Sequence, residues 1–280
     1  MSSDAPLSRR FDAALLDLDG TVYLGGVVIP DVPAAVARAR EDGMTCLFVT
    51  NNASRPPAVV AAALDAMGVP ATADAVLTSP EAAADMVAAA HPQGSKVLVV
   101  GTDHITDCVR AVGLEPVHSA DAQPVAIVQG LSQQIGWPEL AEACIALRAG
   151  ADWVATNVDA TLPTDRGLLP GNGSLVAALE RATGLHPRVA GKPQRPLIDS
   201  AIARAGSRRP LVVGDRLDTD IEAAVSAGVP ALMPLTGVNT AVDLLVAPPA
   251  RRPVFVSFDL RGLVVADRVV DLTDPAVGRG

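Results

Sequence analysis

The chain of 280 residues is 49% hydrophobic and 19% charged, a balance that can bury a substantial core and carries no mark of disorder. Its net charge of -9, with no Lys/Arg-rich run to offset it, argues against nucleic acid or an anionic membrane as partner. No uncharged apolar run reaches about 18 residues and the N-terminal MSSDAPLSRR lacks an apolar stretch, so neither membrane insertion nor secretion is expected and the predicted location is cytoplasmic.

Strand-length apolar segments recur along the chain: Phe11 to Leu16, Thr45 to Val49, Lys96 to Val100, Val125 to Val128, Asp152 to Ala155, Leu211 to Val213 and Ala231 to Met233. Between most of them lie Ala-rich helical stretches: Val32 to Arg40, Ala58 to Met67, Pro138 to Ala149, Leu175 to Ala182 and Leu197 to Ala205. Strand alternating with helix predicts an α/β fold, a Rossmann-like parallel sheet with helices on both faces. The tail after Asp271 is expected to fray. Cys46, Cys108 and Cys144 are odd in number and lack CxxC spacing, which suits reduced thiols. Without a secretory route, the sequons at Asn52 and Asn172 read as chance or as loop residues.

In open α/β sheets the ligand crevice lies beyond the C-terminal ends of the strands, and polar residues gather there in this chain. Phe11 to Leu16 runs into Asp17-Leu18-Asp19-Gly20-Thr21, two acids two residues apart before a glycine that lets the chain turn. A carboxylate can attack phosphorus, and a second acid can protonate the leaving oxygen and then deprotonate water. Asp17 is the candidate nucleophile and Asp19 the candidate general acid and base. An anionic nucleophile repels a phosphate dianion by several kcal/mol at an effective dielectric near ~20, so a cation is needed. Mg2+ suits an oxygen-ligand site with few carboxylates, and Asp17, Asp19 and Asp215 are the candidate metal residues. Val49-Thr50-Asn51-Asn52 offers neutral donors to phosphate oxygens from Thr50, Asn51 and Asn52. Lys192, in Gly191-Lys192-Pro193, offers a compact positive charge for both Asp17 and the transferring phosphoryl group. In Gly214-Asp215-Arg216-Leu217-Asp218-Thr219-Asp220, Asp220 is placed to orient metal-bound water or Lys192. Each piece alone has a plain alternative: a surface lysine, a Gly-Asp turn, or a helix cap at Asp218 to Asp220.

Taken together and in this order, DLDGTV, VTNNASR, AGKP and GDRLDTDI resemble the haloacid-dehalogenase superfamily over nearly the whole chain. The TNN motif and Ala155-Thr156-Asn157 with Asp159, Pro170-Gly171 and Gly173 are similar to its type IIA, NagD-like branch. Only 28 residues (22 to 49) separate Thr21 from Thr50, whereas 140 (52 to 191) separate Asn51 from Lys192, so a large insertion follows the second motif. A smaller α/β cap domain is expected at 80–186, with the core at 1–79 and 187–280.

The resemblance implies a magnesium-dependent phosphatase for a small-metabolite phosphate monoester, glycerol 3-phosphate, phosphoglycolate or similar, working through an aspartyl-phosphate. The cap would close over the Asp17 crevice and set specificity, with Arg55, Asp159, Arg166 and Asn172 as further candidates beside turn-forming roles. An acid at Asp19 separates the chain from the superfamily's ion pumps, which carry Thr there. Phosphotransfer on the same fold is the alternative, and a homodimer is left open. A dinucleotide-dependent oxidoreductase is disfavoured, since neither Val97 to Gly101 nor Gly171-Asn172-Gly173 completes G-x-G-x-x-G. A catalytically silent binding module is disfavoured because all four motifs are intact.

Overall fold

A computed structural model describes residues 5–164 and 166–273, so the tail residues 274–280 and their expected fraying lie outside the described residues. The chain divides into two compact units, one of Met1–Thr50, Pro57–Leu77 and Lys192–Gly280 and the other of Asn51–Pro56 and Thr78–Gly191.

Among the described residues the first unit carries a seven-stranded sheet. Its order is Val269–Asp271, Phe255–Ser257, Ala231–Pro234, Pro210–Val213, Ala13–Leu16, Thr45–Thr50, Val76–Thr78. Ala13–Leu16 sits inside it, paired in parallel with Pro210–Val213 on one side and Thr45–Thr50 on the other. All four of its residues are buried, which is why its sequence is continuously apolar rather than alternating. Ala14 and Leu16 join a core with Val32, Val36, Phe48 and Leu64. Successive strand residues face opposite ways, and the helix Pro196–Ala205 also packs on this strand. The strand begins two residues later than the apolar run predicts because Asp12 is spent on a turn. Its carboxylate accepts the N–H groups of Arg208 and Arg209.

The same physics sets the neighbouring helices. Val32–Glu41 buries Val32, Ala35, Val36 and Ala39, one stripe at helical spacing. Pro196–Ala205 starts with proline in its first turn and ends at Gly206 in the left-handed region.

The second unit is a five-stranded parallel sheet in the order Arg188–Val189, Asp152–Ala155, Ala126–Gln129, Lys96–Val100, Glu115–Val117. Trp137–Arg148 and Asn172–Thr183 close a core around Leu98, Ile127, Leu147, Trp153, Val176 and Leu179. An antiparallel hairpin, Thr161–Thr164 with Gly167–Pro170, stands apart from this sheet.

The expected insertion at 80–186 differs from the observed unit at both ends and in one added segment. Residues 187–191 belong with it because Arg188–Val189 pairs with Asp152–Ala155 and the Gly191 N–H donates to the Thr156 carbonyl. Residues 51–56 belong with it because the Asn51 carbonyl accepts from Ser79 Oγ at 2.8 Å and Asn157 Nδ2 at 3.0 Å. Among the described residues no helix is long and apolar enough to cross a membrane. All three cysteines are free.

Candidate active site

The first unit gathers its polar residues at the C-terminal ends of adjacent parallel strands. Asp17 follows Ala13–Leu16 directly, and its N–H continues the ladder by donating to the Val213 carbonyl at 2.8 Å. Asp215 lies two residues beyond Pro210–Val213, and Thr50 ends Thr45–Thr50. Gly20 turns the chain with φ +86, and its N–H donates to the Tyr23 carbonyl.

Lys192 is 4% exposed, and its Nζ donates to Asp17 Oδ1 at 2.5 Å, to Asp220 Oδ1 at 2.6 Å and to the Val49 carbonyl at 3.2 Å. Three acceptors match the three protons of an ammonium group, so the lysine is strapped in place rather than solvated. Asp220 is 1% exposed and its other oxygen accepts the Arg216 N–H at 3.2 Å. Asp215 is fully buried, with Oδ2 accepting the Val238 N–H at 2.7 Å and Thr21 Oγ1 3.4 Å from Oδ1.

Among the described residues Asp17, Asp215 and Asp220 bring carboxylate oxygens within 4.8 Å of one another. Burial and the neighbouring Asp220 charge push the Asp17 carboxyl up to about 7, against the pull of Lys192. Burial likewise raises Asp215, with Asp220 adding to it and the Val238 N–H opposing it. Burial works against the charge on Lys192, but Asp17 and Asp220 outweigh it and hold its pKa above the ordinary lysine value. Three clustered acids beside one ammonium leave surplus negative charge, and an all-oxygen donor set of this kind fits a hard divalent cation. Asp220 is bonded through Oδ1 to Lys192 and through Oδ2 to the Arg216 N–H, an arrangement that suits a residue orienting Lys192.

The structure departs from the sequence-based expectation at Asp19. Its side chain is exposed and outside the carboxylate cluster, because Gly20 and the bridge to Tyr23 turn that stretch outward. That placement suits an acid and base facing substrate, not a side-chain metal ligand beside Asp17 and Asp215. Thr50 is buried at its strand end, while Asn51 and Asn52 fall in the second unit. Asn52 Oδ1 accepts from both the N–H and the hydroxyl of Ser54, the local turn that asparagine favours.

Asn172 is buried and its Nδ2 donates to the Asn157 carbonyl at 2.7 Å, a structural tie rather than a substrate contact. Gly171 and Gly173 pack against the backbone of 158–161, where a Cβ would collide, so this stretch is not a dinucleotide loop. Asp159, Arg166 and Arg55 are exposed. Sequence reasoning missed Thr236 to Asn239, whose contacts to Asp215 run through a main-chain N–H.

A strand-end acid set that strongly raises one carboxyl and straps a lysine to it is the apparatus of an enzyme that transfers phosphoryl groups onto a carboxylate. Residues 14–115 match the model of haloacid dehalogenase-like hydrolases (Hydrolase_6), and residues 189–263 match the HAD-hydrolase-like model. A D-glycerol 3-phosphate phosphatase from Mycobacterium tuberculosis is 52% identical over 257 residues, covering 92% of this chain and 72% of that protein. The 5'-nucleotidase YutF of Bacillus subtilis is 37% identical over 234 residues, 82% of this chain and 90% of that one. A crystal structure of the Mycobacterium tuberculosis glycerol phosphate phosphatase in complex with magnesium superposes with TM-score 0.89 at 52% identity, over 92% of this chain and 78% of that one. The chain belongs to the haloacid dehalogenase-like hydrolases, in their type IIA, NagD-like branch, and it is a phosphatase of phosphate monoesters.

Proposed function

We propose that the chain is a magnesium-dependent phosphatase whose substrate is a small three-carbon phosphate ester, glycerol 3-phosphate foremost. The observation that carries this is Lys192 bridging Asp17 and Asp220 next to Asp215. The reaction class rests on that geometry together with family membership. The substrate rests on similarity to the D-glycerol 3-phosphate phosphatase.

Asp17 attacks phosphorus, forming a carboxylate–phosphorus bond as the ester oxygen leaves, and Asp19 gives that oxygen its proton. Asp19 then takes a proton from water, whose oxygen attacks phosphorus and breaks the bond to Asp17, releasing inorganic phosphate. Lys192 holds Asp17 in line and offsets the charge that spreads onto the phosphoryl oxygens, for which Thr50 at its strand end is the candidate neutral donor, with Asn51 and Asn52 the further candidates from the sequence. Asp17 and Asp215 would hold magnesium, which would supply the charge that lets an anionic nucleophile meet a phosphate dianion. Asp220 keeps Lys192 in register.

The second unit corresponds to the expected cap and is the candidate for choosing the substrate. Net charge of -9 supports the absence of a nucleic-acid partner, and three free cysteines support a reducing, cytoplasmic location. A homodimer stays open, with the exposed Leu168 and Leu169 on the hairpin as candidate contact residues, and light scattering after gel filtration checks it.

The test is phosphate release from glycerol 3-phosphate, phosphoglycolate, sugar phosphates, pyridoxal phosphate and nucleoside monophosphates, with magnesium and with chelator. Turnover of nucleotides alone overturns the substrate assignment, and full turnover in chelator overturns the metal.

A further inference from the structure

Asp215 is buried with no exposed surface, and it reaches that position between two glycines from separate loops. A Cβ on Gly20 or on Gly237 would come within 3.0 Å of its carboxylate, closer than side chains tolerate. The loops are stapled to each other, since Thr236 Oγ1 donates to the Gly20 carbonyl at 2.7 Å. The Val238 N–H donates to Asp215 Oδ2 at 2.7 Å, and Asn239 Oδ1 accepts the N–H of Leu217, two residues past Asp215, at 2.9 Å. Four consecutive residues after Ala231–Pro234 thus fasten the acid, the turn after Asp17 and the segment leading to Asp220.

We propose that Thr236-Gly237-Val238-Asn239 is a positioning clamp that pre-shapes Asp215 for the divalent cation and so sets the affinity for magnesium. The inference rests on the metal reading above and adds residues that the strand-end acids alone do not reveal. A carboxylate in a slot one atom wide cannot rotate away, so little ordering is left to occur when the cation arrives. A slot that slackens returns that freedom and weakens the ligand, as loss of a group that orients a metal ligand usually does.

The experiment uses the full chain and titrates magnesium by calorimetry, with melting temperatures in chelator alongside. Thr236→Val removes the staple while keeping the shape, and Thr236→Ser restores the hydroxyl. The valine variant is expected to raise the magnesium Kd by roughly ten- to hundred-fold, with the serine variant within about threefold of wild type. A lower melting temperature in chelator with magnesium Kd unchanged assigns Thr236 to stability alone and overturns the clamp.

Gly237→Ala is expected to abolish measurable binding and to lower the melting temperature. Placed on Asp215→Gly, where the colliding side chain is gone, the same change is expected to lower the melting temperature far less. An equal loss in both backgrounds overturns the slot. A wild-type chain that takes up no magnesium overturns the metal reading itself, a result distinct from a wild type that binds and a valine variant that binds equally well.

Discussion

Replacing Lys192 by methionine keeps most of the side-chain volume and removes the one charge facing both Asp17 and Asp220. Contacts of 2.5 and 2.6 Å each correspond to ~6 kcal/mol of attraction at an effective dielectric near ~20. Desolvation of the three groups, at 4%, 16% and 1% exposure, offsets most of that sum. What remains is the cost of leaving two acids and the Val49 carbonyl unpaired, about 3–5 kcal/mol for a broken buried pair. At about 2–4 °C per kcal/mol for a chain of this size, the melting transition containing the first unit should fall by roughly 6–20 °C in chelator.

The loss depends on pH in a calculable direction. Asp17 titrates near 7 with the lysine present and higher without it, so at pH 8 wild type keeps the carboxylate while Lys192→Met protonates it. Between pH 6 and pH 8 the wild-type folded state gives up the Asp17 proton while the variant keeps more of it, so the destabilisation is larger at pH 8 than at pH 6. Scanning fluorimetry at both pH values checks the size and the direction. A variant that melts within about 1 °C of wild type at pH 8 refutes the charge-strap reasoning.

Asp17→Asn should lower turnover at least ~1,000-fold with melting temperature kept or raised, because it removes the nucleophile and a buried charge; residual turnover near wild type would remove Asp17 from the chemistry. Asp19→Asn should cost about 100- to 10,000-fold in turnover, least for p-nitrophenyl phosphate, whose leaving group needs no proton, and equal losses on all esters would contradict the acid role. Because the folded Asp17 pKa of about 7 lies above its unfolded 3.8, this group favours the metal-free fold most below pH 4 and loses that contribution, ~4 kcal/mol at most, as pH rises through 7. Magnesium competes with that proton, so the rise in melting temperature that it produces should be small at pH 5.5 and larger at pH 8, and the opposite order would reject Asp17 as a ligand.

Much of this site was legible because its residues carry charge at strand ends. Asp17 and Asp215 are found by asking which polar residues follow an apolar run, Lys192 by its place in Gly191-Lys192-Pro193 before a helix, and Asp220 by its place in the same motif as Asp215. Asp19 shows the limit of that method: two residues of spacing would put both acids on one strand face, but the strand ends at Leu16 and the turn through Gly20 leaves the second acid exposed.

Thr236 to Asn239 escaped because a main-chain N–H has no sequence signature. Their one available signal was position, beginning two residues past Ala231–Pro234, as Asp215 lies two residues past its own strand. The α-helix Ser79–Ala88 was missed because its buried stripe is mostly alanine, Ala82, Ala83 and Ala84 with Val87, which gives weak apolar contrast. The ends of the second unit depend on two-residue pairing at Arg188–Val189 and on hydrogen bonds to Asn51, neither visible as composition.

An acidic protein that hydrolyses a dianion faces a problem at longer range than the active site. With net charge -9 the chain repels its substrate before any contact is made, and the lysine that meets the phosphate is 4% exposed and already bonded to two acids. The attraction is therefore confined to the last few ångströms, where Lys192 and the cation act. Repulsion outside that radius slows encounter and is screened by salt, as the Debye length falls from ~30 Å at 0.01 M to ~8 Å at 0.15 M ionic strength. At fixed saturating magnesium, kcat/KM for glycerol 3-phosphate should rise as sodium chloride increases over that range while kcat stays level. Stopped-time phosphate release at substrate well below KM measures it. A kcat/KM that falls with salt would mean that a basic approach path dominates the field, and the charge reasoning built on Asp17, Asp215 and Asp220 would have to give way to one built on exposed arginines such as Arg55 and Arg166.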